Sequence, residues 1–95
     1  MRLRWTRPAK NDLVELRKFI AEEDETAAGR TGRRIRAAAK LLETTPQLGH
    51  PGRIPETREL IVPRTRYILA YRVRRGQVEV LRVLHSSRRW PRALH

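Results

Sequence analysis

The sequence predicts an α+β fold: a short N-terminal strand, an antiparallel helical hairpin, and a three-stranded antiparallel meander completing a small curved sheet, in the order β-α-α-β-β-β. Three observations carry it. Apolar residues recur at helical spacing from Ala9 to Leu42, and apolar and polar residues alternate from Arg58 to His85. Arg75-Gly76 between two alternating runs marks a two-residue hairpin turn, glycine supplying the positive φ. Ninety-five residues suffice for one core, so residues 1–95 are read as a single domain.

The first element is the alternation Arg2, Leu3, Arg4, Trp5, a short strand before the Thr6-Arg7-Pro8 break. Thr6 can cap a helix whose first turn tolerates Pro8. Ala9, Leu13, Leu16 and Ile20, with Phe19 beside them, then form one apolar stripe. The acidic run Glu22 to Glu25 suits the start of the next helix, with Thr26 expected as its N-cap. Ala28, Gly32, Ile35, Ala39 and Leu42 make its stripe, and the small residues allow close approach to the first helix. Arg33, Arg34 and Arg36 fall mostly off that stripe and read as a solvated face.

Gln47 to Pro55 is an ordered loop. Strands follow at Arg58 to Val62, Arg66 to Val73 and Gln77 to His85, the first two joined by Pro63-Arg64-Thr65. Closing the last hairpin at residues 74 and 77 sets Tyr71 against Val80, Arg72 against Glu79, Ile68 against Val83 and Arg66 against His85. One face (Tyr67, Leu69, Tyr71, Val73, Val78, Val80, Leu84) is then expected to pack on the helices. The other carries Arg66, Arg72, Glu79 and His85 around an exposed strip of Ile68, Ala70, Leu81 and Val83. A register slip would exchange the faces.

A net charge of +12 attracts polyanions. Acids dominate from Asp12 to Glu25, whereas Arg58 to His95 holds ten arginines against Glu59 and Glu79, which makes the C-terminal third the expected working face. Only three of the 22 bases are lysines, and arginine forks grip phosphate and carboxylate bidentately. No cysteine is present, which excludes disulfides and thiolate metal sites. No apolar run has the length of a membrane span, and the reading is a soluble, cytoplasmic protein needing no cofactor and no metal.

Gly52-Arg53, Thr57-Arg58-Glu59-Leu60, Tyr67-Ile68-Leu69-Ala70-Tyr71-Arg72-Val73, Val80-Leu81-Arg82-Val83-Leu84-His85 and Arg88-Arg89-Trp90-Pro91 together resemble the toxins of the RelE/ParE superfamily, the toxic halves of bacterial type II toxin–antitoxin modules. The resemblance covers nearly the whole chain. It implies growth inhibition by one of two mechanisms, and a cognate antitoxin whose flexible segment folds onto the toxin. RelE-like members cleave mRNA on the ribosome; ParE-like members inhibit DNA gyrase.

Metal-independent RNA cleavage needs a base, an acid and cations for the phosphorane. His85, Arg66 and Glu56 (or Glu59) are the candidates if this chain is a ribonuclease. Ser86 and Ser87, however, stand where many such nucleases carry a tyrosine or a further cation, and no lysine follows Lys40. The competing view of His85 is a strand-end histidine whose hydrogen bonds hold the tail. The gyrase mechanism asks only for a basic, partly apolar surface and is preferred. Arg53, Arg58, Arg64, Arg72, Arg88, Arg89 and Trp90 are the residues expected to meet the target. Ile68, Ala70, Leu81 and Val83 are those expected to meet the antitoxin. A non-catalytic nucleic-acid-binding module ranks last, because no helix-turn-helix or aromatic RNA-binding motif is present.

Overall fold

A computed structural model describes residues 1–94; His95, the last residue of the expected domain, lies outside them. Thr6 opens the first helix as expected. Its backbone is extended, its hydroxyl accepts the Ala9 N–H at 3.3 Å, and Pro8 sits in the first turn, where its missing N–H costs nothing. The strand before it is β1 (Arg2–Trp5) and the helix is α1 (Arg7–Ala21). The second helix, α2 (Glu25–Leu41), is capped by Asp24, whose carboxylate accepts the Ala27 N–H at 3.0 Å. Thr26 is therefore inside the first turn and not the cap: the carboxylate two residues earlier takes the same role and also favours the helix's positive end.

The α2 stripe is buried along its length, from Ala28 through Gly32, Ile35 and Ala39 to Leu42. Gly32 has a packing reason, because a Cβ there would lie 3.1 Å from Cδ of Arg17 on α1. On α1, Ala9 and Leu16 are buried and Leu13 and Ile20 pack against the core, but Phe19 is 55% exposed. Its position off the helical stripe turns the ring away from the sheet.

The remaining strands are β2 (His50–Pro51), β3 (Arg58–Ile61), β4 (Tyr67–Arg74) and β5 (Gln77–His85). β2 pairs antiparallel with β3 inside the stretch expected to be loop. The sheet runs β1-β5-β4-β3-β2, mixed, because β1 pairs parallel with β5. α1 and α2 cover one face. The main core joins Leu16, Ile35 and Ala38 to Leu69, Val80 and Val83, and a smaller cluster joins Leu42 to Tyr71 and Val78. Val73, expected in this core, is 43% exposed near the turn of the hairpin.

Arg75 and Gly76 both take positive φ (53° and 74°), the signature of a tight hairpin turn. From that turn to Tyr71↔Val80 the expected register holds, including Arg72↔Glu79. Beyond it the pairing shifts by one residue, to Ala70↔Arg82, Ile68↔Leu84 and Tyr67↔His85, leaving Leu81 as the extra residue of a β-bulge. The expected Ile68–Val83 and Arg66–His85 pairs are thus replaced. An inserted residue reverses the side-chain alternation of the strand beyond it. Val83 consequently joins the helix-side core and Leu84 turns to the outer face.

That outer face is not an exposed strip. Ile68, Ala70, Leu81 and Val83 are all buried, at 6%, 0%, 1% and 4% exposure. Ala70 and Leu81 pack with Leu94 from the C-terminal tail, flanked by Ile54, Leu84 and Trp90. The chain covers its own apolar strip, which removes the surface that unpartnered strand alternation predicts.

Candidate functional site: a basic cleft at the end of the sheet

The far ends of β4 and β5 meet α1 at a cleft of about 340 Å³, lined by Glu15, Phe19, Tyr67, His85, Arg88 and Arg89 among others. A second opening of about 270 Å³ shares Phe19, Tyr67 and His85 and adds Thr31, Thr65 and Arg66. Tyr67 and His85, opposite each other across the ladder, meet edge to face with centroids 5.3 Å apart. The Arg88 guanidinium lies 5.1 Å above the Phe19 ring. Burial pushes the Tyr67 phenol up, with the Arg88 charge opposing it.

His85 is held by the residues that follow it. Its Nδ1 accepts the Ser87 backbone N–H at 3.2 Å, with the Ser87 hydroxyl 3.0 Å from the same nitrogen. A backbone N–H can only donate, so Nδ1 is the acceptor and the neutral ring carries its proton on Nε2. Protonation is disfavoured: burial, then Arg88 and then Arg66, lower the imidazole below its usual range. Arg66 sits beside His85 and not opposite it, its carbonyl accepting the Ser86 N–H at 2.8 Å. Ser87 thus anchors the ring locally, and Ser86 ties the end of β5 to Arg66.

Glu56 is not brought to this cleft. It lies exposed, with φ 67°, in the loop before β3. Arg58, two residues on, pairs with Tyr71, whereas His85 pairs with Tyr67. Four residues of strand separate those rungs, roughly 13 Å. The alternative carboxylate, Glu59, is 3% exposed and clamped by Arg53, with Nε 3.1 Å from Oε2 and Nη2 3.2 Å from Oε1. Among the described residues no cluster of His, Asp or Glu could hold a metal ion.

The expected target-binding arginines divide. Arg53, besides gripping Glu59, lies 3.5 Å over the Trp90 ring, and together they close the tail over the outer face. Arg58 donates to the Gly49 carbonyl at 2.7 Å. Arg72 and Arg4 both bind Glu79, at 2.6 and 2.7 Å, and hold its carboxyl at about 2. Arg64, Arg88 and Arg89 remain exposed, without a carboxylate partner among the described residues. The antitoxin candidates Ala70 and Leu81 lie under Leu94, so a partner reaching them has to displace the tail.

Sequence reasoning missed the bond that fixes the cleft's floor. Arg82 grips Asp12 through Nε (2.6 Å) and Nη2 (2.9 Å), and the Val83 N–H donates to the same carboxylate at 2.9 Å. Their 70-residue separation leaves no local signal. Phe19 was missed too: read as part of the apolar stripe, it is 55% exposed and lines the cleft.

A helical hairpin on one face of a small mixed sheet, with a basic cleft where the last strand ends, defines a toxin of the RelE/ParE superfamily, the toxic component of type II toxin–antitoxin systems. Within it, the family described as ParE toxin of type II toxin-antitoxin system, parDE, matches residues 3–90, and the chain belongs to that family. It is 42% identical to Y4kP of Sinorhizobium fredii over 98% of this chain and 96% of that protein. It is 31% identical to toxin RelE2 of Caulobacter vibrioides, covering 88% of this chain and 93% of that one. Its fold matches a chain of the chromosomal ParDE system from P. aeruginosa with a TM-score of 0.81 at 25% identity, over 90% of this chain and 95% of that one.

Proposed function

We propose that this toxin inhibits growth by ParE-like poisoning of DNA gyrase in the cytoplasm and is neutralised by a cognate antitoxin. What carries the reading is the failure of the nuclease groups to converge: Glu56 lies in the loop two residues before Arg58, whose rung is about 13 Å along the sheet from that of His85. His85 itself suits neither proton-transfer role, since Nδ1 is occupied by Ser87 and the acid form is disfavoured. A binding toxin needs only the basic cleft. The antitoxin part of the reading is supported by the likeness to the P. aeruginosa ParDE system.

The test is a purified gyrase reaction. The toxin should accumulate cleaved DNA, equally with His85→Ala, while ribosome assays stay blank. Codon-positioned mRNA cuts that require ribosomes and vanish in His85→Ala and Arg66→Ala would overturn the reading. Salt-dependent nucleic-acid binding with neither activity would instead favour a plain binding module. Mixing with the protein encoded beside it should raise the toxin's melting temperature and shift its elution.

A further inference from the structure

Outside the cleft, one group of arginines is held together with nothing to neutralise it. Arg30 and Arg34 stand one turn apart on α2, about 6 Å along its axis. Arg34 reaches across to the β3–β4 turn, where its Nη1 donates to the Arg64 carbonyl at 3.2 Å. None of the three has a carboxylate within ion-pair distance among the described residues. Burial, then Arg64 and then Arg30, lower the Arg34 guanidinium below its usual range. Arg64 also takes φ 61°, a conformation in which glycine or asparagine is the usual choice. A like-charged trio, one member in an unfavoured backbone state, makes no sense as a stabilising device.

We propose that Arg30, Arg34 and Arg64 form a phosphate-binding ridge that grips the sugar-phosphate backbone of a DNA duplex without reading its bases. Phosphates of one strand recur about every 3.4 Å along the duplex axis, so two steps, about 6.8 Å, match the span from Arg30 to Arg34. The apolar anchors that a docked acidic protein segment needs are sparse here: Ile61, beside the turn, and Leu41, at the far end of α2, are isolated single residues. Nor does the ridge carry an aromatic platform for unpaired bases; Phe19, across the cleft, already has Arg88 on its face. The choice of DNA rests on the gyrase reading, and the ridge itself does not.

The test is binding of the purified toxin to a fluorescein-labelled DNA duplex of about two helical turns, from about 50 to 200 mM KCl. The triple variant R30Q/R34Q/R64Q is compared with R2Q/R74Q/R75Q, which removes the same charge from exposed arginines elsewhere. The ridge variant should bind roughly a thousandfold more weakly at the lower salt, and its slope of log affinity against log salt should shrink by about 2.7, at 0.9 for each phosphate no longer neutralised. The control should keep the wild-type slope. If the triple variant melts early, Arg64→Gln alone, which leaves the carbonyl partner of Arg34 intact, should shrink the slope by about 0.9.

Equal losses in both triples would mean diffuse attraction and overturn the ridge. So would loss of antitoxin binding with DNA binding unchanged, which would assign the arginines to an acidic protein. A ridge-dependent slope on an RNA duplex and none on DNA would overturn the choice of DNA. The ridge and the gyrase reading can fail separately. A wild-type toxin that leaves gyrase unaffected but shows the ridge slope sinks only the gyrase reading. Poisoning of gyrase with an unchanged slope in the ridge variant sinks only the ridge.

Discussion

Two populations of arginine share this molecule. Arg4, Arg72, Arg53 and Arg82 are spent on Glu79, Glu59 and Asp12, whose side chains are 8%, 3% and 17% exposed. Arg30, Arg34, Arg64, Arg66, Arg88 and Arg89 have no carboxylate partner among the described residues and ring the β3–β4 turn and the cleft. The first population substitutes for a large apolar core by tying strands and α1 together. The second makes only a carbonyl contact (Arg34) and an aromatic contact (Arg88), which leave its charge free for an external anion. Net charge does not distinguish them; a partner's geometry does.

The contrast is broken most sharply at Arg82. Arg82→Ala strands the Asp12 carboxylate between α1 and β5, and should cost about 2–3 kcal/mol, at or just below the buried-pair range because Arg82 is 26% exposed. Thermal melting should register a fall of roughly 10–20 °C. A fall of only a degree or two would place Arg82 with the free arginines. Glu79→Gln removes the carboxylate shared by Arg4 and Arg72 and should cost about 2 kcal/mol, read from denaturant midpoints.

Acid should reproduce the second result in the wild type. The Glu79 carboxyl is held at about 2, below its ordinary 4.5, chiefly by its hydrogen bonds to Arg4 and Arg72. Its contribution is therefore complete above the ordinary value and drains away as pH falls from 4.5 towards 2. The melting temperature should drop faster over that window in the wild type than in Glu79→Gln. Parallel profiles would show that the clamp stabilises nothing.

The smallest expected effect has the opposite sign. Arg64→Gly relieves the positive φ, and should leave the melting temperature unchanged or raise it by a few degrees, for about 1 kcal/mol at most. A clear loss of stability would move Arg64 into the structural population.

Most of the fold was legible because its signals are local: stripes at helical spacing, the Thr6 cap, the Arg75-Gly76 turn. Long-range features were not. Leu81 looks like any alternating strand residue, and only the pairing partner shows that it is a bulge. Val83 and Leu84 were consequently assigned to the wrong faces. The strip beneath Leu94 and Trp90 read as exposed because a short tail of mixed composition carries no periodicity to announce where it folds. Of the residues the sequence singled out, His85, Arg66 and Arg88 line the two openings, whereas Arg34, outside them, was read as solvated. A helix face says where a side chain can point, but not that a turn 30 residues on will offer it a carbonyl.

The parallel pairing of β1 with β5 joins Arg2–Trp5 to Gln77–Val80, and the Asp12–Arg82 clamp spans 70 residues of chain. During synthesis the N-terminal strand is made first and its partner among the last. At 5–20 residues per second, the interval is about 4–15 s. Throughout it β5, the strand on which β1 pairs and α1 packs, is not yet made, and α1 has only α2 to lie against. Whatever the cleft at the end of β5 does therefore waits until nearly the whole chain has been made.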